Sequence, residues 1–286
     1  MNILITGAGG FIGSHLSRKL AEKYTIFRVF PKKEQKENQY DIAFNLADTK
    51  FLKSVFTAFK KKYSIDLIIH LASKLASVDD ANDIKVLTDN IKITESIVEI
   101  AKILEPKKFI NFSSISVYPN RDGVFAETSE IRPSLNTDCL YGLSKFCSEI
   151  MIDFFLKNYD ITVCHLRVSQ VYGEGMRKDR TIPAMIKELK DNNSITVYGN
   201  GERVSNFIEI NKLVAIIDLF INENVKGVFN IGEENVSYYD LAKKLIKSYG
   251  NELSIINRNN KGSKAKFYID TSKLEKVIAE SNYLFG

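Results

Sequence analysis

Tyr141 and Lys145 stand four residues apart in Tyr141-Gly142-Leu143-Ser144-Lys145. On a helix that spacing puts both side chains on one face, a turn apart. A phenol beside an ammonium has a chemical use: the positive charge, assisted by an oxidised nicotinamide, favours the phenolate. Such a tyrosine takes a proton from a hydroxyl, or gives one to a carbonyl, during hydride transfer. Ser114, in Asn111-Phe112-Ser113-Ser114-Ile115-Ser116, ends a strand-like run and supplies the third hydroxyl. The pair alone is a common structural pattern. It gains meaning from a second motif, Thr6-Gly7-Ala8-Gly9-Gly10-Phe11-Ile12-Gly13. There a strand passes through a tight glycine turn into a helix whose N–H groups suit a pyrophosphate.

Elements that could position these residues alternate along the first two-thirds of the chain. Apolar runs at Asn2–Thr6, Thr25–Phe30, Ile42–Asn45, Leu67–His70, Phe109–Ser113 and Thr162–Val168 read as strands. Amphipathic stretches at Phe11–Glu22, Thr49–Lys62, Asp89–Leu104 and Tyr141–Asn158 read as helices. The alternation predicts an α/β fold with a doubly wound parallel sheet and a ligand crevice at the strands' C-terminal ends. After Tyr172 glycines and a proline punctuate shorter elements, as expected of a smaller C-terminal substrate domain. Val204–Ile210 and Gly227–Gly232 look like strands returning to the first domain. The expected division is therefore discontinuous: residues 1–172 with 203–231, and residues 173–202 with 232–286.

Composition narrows the class. Hydrophobic residues make up 44% and charged residues 26% of 286, ordinary values for a globular chain. No apolar run approaches the roughly 18 residues that a membrane helix needs. The opening residues read as a buried strand without a basic leader, which points to a cytoplasmic protein. Cys139, Cys147 and Cys164 form no metal or disulfide pattern, and His15, His70 and His165 are scattered. No metal is expected, and no nucleic-acid signature accompanies the mild net charge of +5.

Cofactor preference is read at the end of the second strand, where an acid normally receives the ribose hydroxyls of NAD. The chain has Phe27-Arg28-Val29-Phe30-Pro31-Lys32-Lys33, without an acid. Lys32, Lys33 or Arg28 would meet the 2′-phosphate of NADP(H), the expected cofactor; the alternative is NAD, with exposed loop lysines.

Together these motifs resemble the extended short-chain dehydrogenase/reductases, in particular the NAD-dependent epimerase/dehydratase family of nucleotide-sugar enzymes. Asn45-Leu46-Ala47-Asp48 stands where that family meets adenine, and Leu71-Ala72-Ser73 follows His70 as in its HLAA motif. Asn90, Leu166-Arg167 and Val171-Tyr172-Gly173 match further positions, and Val197 to Arg203 resembles the segment whose arginine binds the substrate diphosphate. The resemblance implies that Tyr141 is the acid/base, Lys145 its partner and ribose ligand, and Ser114 the donor to the sugar oxygen. Gly7, Gly9, Gly10, Phe11, Ile12 and Gly13 would hold the dinucleotide, with Asn45, Leu46, Leu71, Ala72, Ser73 and Asn90. Ser114, Ser116, Gln170 and Arg203 would contact a nucleotide-diphosphate sugar. The family's pairing of the helices near Asp89–Leu104 and Tyr141–Asn158 implies a homodimer.

Departures matter too. Sugar dehydratases carry Thr-Asp-Glu where this chain has Ser114-Ile115-Ser116, so elimination lacks its carboxyls. Glu209 replaces an aromatic residue or His, and Cys139 is either a second proton donor or a buried filler. The expected activity is an NADPH-dependent 4-ketoreductase of a nucleotide sugar, with an NAD-dependent 4-epimerase as the alternative.

Overall fold

In a computed structural model, which describes residues 1–32, 38–75 and 83–281, the first strand, β1 (Asn2–Thr6), has helices on both sides. Ile3 and Ile5 face one apolar cluster and Leu4 the other, which is why the strand reads as an unbroken apolar run. The chain continues through α1 (Phe11–Leu20), β2 (Thr25–Phe30), β3 (Asp41–Ala43), α2 (Leu52–Lys60) and β4 (Leu67–His70). Next come α3 (Lys85–Leu104), β5 (Lys108–Ser114), β6 (Gly123–Phe125), α4 (Cys139–Leu156), β7 (Thr162–Val168) and β8 (Gln170–Tyr172). The remainder is α5 (Thr181–Asn192), β9 (Ser194–Tyr198), β10 (Val204–Glu209), α6 (Ile210–Asn222), β11 (Gly227–Ile231) and β12 (Glu234–Ser237). It ends with α7 (Tyr238–Tyr249), β13 (Ile255–Asn259), β14 (Phe267–Ile269) and α8 (Ser272–Glu280).

Seven parallel strands form the main sheet in the order β11-β7-β5-β4-β1-β2-β3. Residues from α1 and α6 cover one face, and residues from α2, α3 and α4 cover the other. The sheet is thus doubly wound, as expected. Register aligns the strand ends: Thr6 pairs with His70, and Ser114 with Val168. The loops after β1, β4, β5 and β7 therefore leave from one edge, where such folds bind ligands.

Two expectations need adjustment. Gly227–Ile231 does return to the main sheet, but Val204–Glu209 pairs with β8 and β12 in a separate three-stranded sheet. The expected strand Ile42–Asn45 is Asp41–Ala43, shifted because Asp41 binds Arg28 on β2 through two 2.8 Å hydrogen bonds. A further apolar cluster joins α5, β9, β10, β12 and α7, so the shorter C-terminal elements have their own core.

A buried ion pair ties α4 to the sheet. Arg167 and Glu149, with side chains 5% exposed each, meet at 2.8 Å. Glu149 also accepts from Ser113, and Arg167 donates to the Tyr118 hydroxyl at 2.9 Å. Removing one partner leaves the other charge buried alone. Glu149→Ala is expected to cost roughly 3–5 kcal/mol, and the paired change Glu149→Leu with Arg167→Met less than that. Urea denaturation midpoints test this; a single variant as stable as wild type would refute it.

Candidate active site

Between β1 and α1 the backbone is folded tightly on itself. Gly7 has φ +70°, and a Cβ there would lie 2.7 Å from the Ala72 nitrogen. A Cβ on Gly13 would lie 2.2 Å from the Gly7 carbonyl oxygen. Only glycine permits this approach of turn, strand and helix. Gly10 is the N-cap of α1 and offers no side-chain cap, and the first turn holds no acid. Its leading N–H groups are left for a ligand, with the positive end of the helix dipole behind them.

One cavity of about 630 Å³ opens from this turn. Its lining includes Gly7, Gly9, Gly10, Phe11, Ile12 and Gly13 at one wall. It also includes Asn45 and Leu46 after β3, and Leu71, Ala72 and Ser73 after β4. Ser114, Tyr141 and Lys145 lie along the same cavity. Its volume lies within the range of ligand and cofactor pockets, and the uncapped start of α1 lines it. The residues present fit a dinucleotide. Among the described residues no cluster of metal-ligating side chains is found, and no helix is long and apolar enough to cross a membrane.

Lys145, 5% exposed, donates to the Phe112 carbonyl at 2.8 Å and stands 5.7 Å from the centre of the Tyr141 ring. Burial lowers its pKa to about 8, opposed by the charge of Glu149. Tyr141 behaves differently from the simple expectation. Burial pushes its phenol up to about 12; Asp138 adds to the rise, while a hydrogen bond from Ser73 and the charge of Arg180 oppose it. In the protein alone, desolvation therefore outweighs the nearby cations. His70 is kept neutral, its pKa brought to about 3 by burial and then by Lys145, and its Nδ1 meets the Thr6 hydroxyl at 2.8 Å.

The remaining expected residues have partners within the protein. Asn90 is buried behind the cavity: its Oδ1 accepts from the Lys74 N–H at 2.7 Å, and its Nδ2 donates to Ser144 at 3.0 Å. Ser116 donates to Asp138 at 2.9 Å, and Gln170 to Ser205 at 2.8 Å. The Arg203 guanidinium lies 5.3 Å from the centre of the Tyr238 ring. Glu209 caps α6, accepting from the N–H groups of Asn211 and Lys212. Cys139 is the half-buried first residue of α4. Lys32 is exposed and is not part of the cavity lining, and Lys33 lies outside the described residues. Arg28 is engaged by Asp41, so the cation on β2 expected to meet a 2′-phosphate already has a carboxylate partner.

Sequence reasoning missed several neighbours. Val29, Pro31 and Phe44 line the cavity beside Asn45, Leu46 and Ala47. Asp138 and Arg180 act electrostatically on Tyr141 from outside every motif. Only the position of Asp138, three residues before Tyr141, could have drawn notice.

The model of the family described as "NAD dependent epimerase/dehydratase family" matches residues 3–232. A dTDP-D-glucose 4,6-dehydratase of Dictyostelium discoideum is 30% identical over 270 residues, 85% of this chain and 61% of that enzyme's length. The human dTDP-D-glucose 4,6-dehydratase is 26% identical, covering 94% of this chain and 77% of the relative. Among solved structures, UDP-glucuronic acid 4-epimerase from Bacillus cereus in complex with NAD has a TM-score of 0.79 at 26% identity. That match covers 99% of this chain and 94% of the epimerase. A cavity running from the glycine turn to the Tyr141–Lys145 pair, within a matched span of this length, assigns the chain to the NAD-dependent epimerase/dehydratase family of enzymes.

Proposed function

We propose that this enzyme is an NAD-dependent nucleotide-sugar 4-epimerase. The observation that carries the reading is the single cavity joining the glycine turn to Ser114, Tyr141 and Lys145. The NADPH-dependent ketoreductase expected from the sequence rests on the missing second-strand acid and the short stretch after it, and the comparisons lend no support to a preference for NADP. Among the described residues, those of β2 and the following segments that line the cavity are Val29, Pro31, Phe44, Asn45, Leu46 and Ala47, all uncharged. Arg28 is engaged by Asp41 instead. The likeness to an epimerase complexed with NAD points the same way.

NAD, when bound, supplies an acceptor for the hydride of the sugar carbinol and a donor for its return. The protein's own residues manage the proton. Tyr141 receives the 4-hydroxyl proton and gives it back. The ammonium of Lys145, fixed on the Phe112 carbonyl, keeps positive charge beside the ring. The Ser114 oxygen already accepts the Ser116 N–H at 3.1 Å, so its own proton is free to bind the sugar oxygen. Arg203 is the residue we assign to the diphosphate. Exposed Leu143, Ile150, Phe154 and Phe155 on α4 suit pairing with a second copy, which sedimentation at micromolar concentration would reveal.

Incubation with NAD and uridine- or thymidine-diphosphate hexoses should interconvert C4 epimers, followed by NMR; net consumption of NADPH with a keto-sugar would instead sink the epimerase reading. Tyr141→Phe should lower turnover at least about 100-fold while NAD affinity stays within about threefold. Gly13→Ala should weaken NAD binding more than about tenfold, equal to about 1.4 kcal/mol, by forcing the Gly7 carbonyl away. Calorimetric titration with NAD decides the second point, and unchanged affinity would refute it.

A further inference from the structure

Asp138 occupies the N-cap of α4, where a carboxylate ordinarily accepts N–H groups of the first turn. Here its side chain makes no cap hydrogen bond. Its backbone carbonyl accepts the Gly142 N–H at 2.9 Å, and its Oδ2 accepts the Ser116 hydroxyl at 2.9 Å. Ser116 in turn donates its N–H to the Ser114 oxygen. The turn carrying both serines lies flat on α4: a Cβ on Gly142 would stand 2.2 Å from the Ser116 carbonyl oxygen. Asp138 thus joins the strand end that holds Ser114 to the helix that holds Tyr141. With its proton committed to Asp138, Ser116 can offer a sugar only a lone pair.

The same carboxylate is half-buried and near enough for its charge to act on the Tyr141 phenol. Arg180, the half-buried residue preceding α5, acts on that phenol with opposite sign. Ser73 reaches it by a hydrogen bond, and Lys145 stands beside its ring.

We propose that Asp138 is a positioning residue of the proton-transfer site: from the N-cap of α4, three residues before Tyr141, its carboxylate holds Ser116 and through it the turn bearing Ser114, so that the hydroxyl donor and the phenol keep one arrangement with a carboxylate beside them. This rests on the reading of Tyr141 as the proton-transferring group. A carboxylate near a phenol disfavours the phenolate, so removing it eases ionisation, and removing the guanidinium does the reverse. A purely structural Asp138, stabilising the N-terminus of α4, would change stability without moving that ionisation.

The test is an ultraviolet difference titration of the phenolate in the NAD complex, with Tyr141→Phe as the blank. Asp138→Asn should move the Tyr141 titration to lower pH by about 0.5–1, Asp138→Glu should restore it, and Arg180→Gln should move it upward. Ser116→Ala keeps both charges and should leave the titration near wild type while lowering kcat more than it raises KM. A titration that stays in place in Asp138→Asn, or that moves equally in Ser116→Ala, would overturn the proposal. Failure of the wild type to turn over any nucleotide sugar would overturn the epimerase reading instead, because the titration needs no substrate.

Discussion

Lys145 reaches from α4 to the carbonyl of Phe112 on β5, and burial brings its ammonium down to about 8. A cation so enclosed is costly unless polar groups surround it. The carbonyl satisfies one proton, and the carboxylate of Glu149, one turn along α4, opposes the loss of charge. Glu149 is held in turn by Arg167 on β7. The reactive end of α4 and its structural middle are thus coupled through one carboxylate. The sheet order that puts β5 between β4 and β7 is what brings these groups within reach of each other.

The same burial acts on Tyr141, raising its phenol to about 12 against the opposing hydrogen bond of Ser73 and charge of Arg180. Neutral His70, fixed by Thr6 at the end of β1, adds no competing charge on the other side. The architecture holds Ser114, Tyr141 and Lys145 along one cavity.

Much of this was legible in the residue order. The strands Asn2–Thr6, Thr25–Phe30, Leu67–His70 and Thr162–Val168 have the bounds that their apolar runs suggest. The glycine turn and the Tyr141–Lys145 pair carry local signals, because each depends on spacing within one element or one turn. What escaped notice depends on distant residues. Arg28 and Asp41 meet only because β2 and β3 are neighbours, and Ser116 and Asp138 only because a turn packs on α4. The hydrogen bonds of Asn90 to the Lys74 backbone, which secure the segment after β4, were likewise not readable from spacing. Glu209, noted in the sequence only as a departure from the family pattern, is a helix cap. The three-stranded sheet of β8, β10 and β12 was also hidden, since alternation identifies a strand but not its neighbour.

The pairing of Arg28 with Asp41 has a consequence for anyone seeking to alter cofactor choice. The guanidinium is already anchored at the edge where a second-strand cation would be wanted, with its charge cancelled by a fully enclosed carboxylate. Redesign toward a phosphorylated dinucleotide would begin at that carboxylate, by releasing a cation the chain already possesses. Adding lysines to the neighbouring loop would leave the existing neutral pair intact.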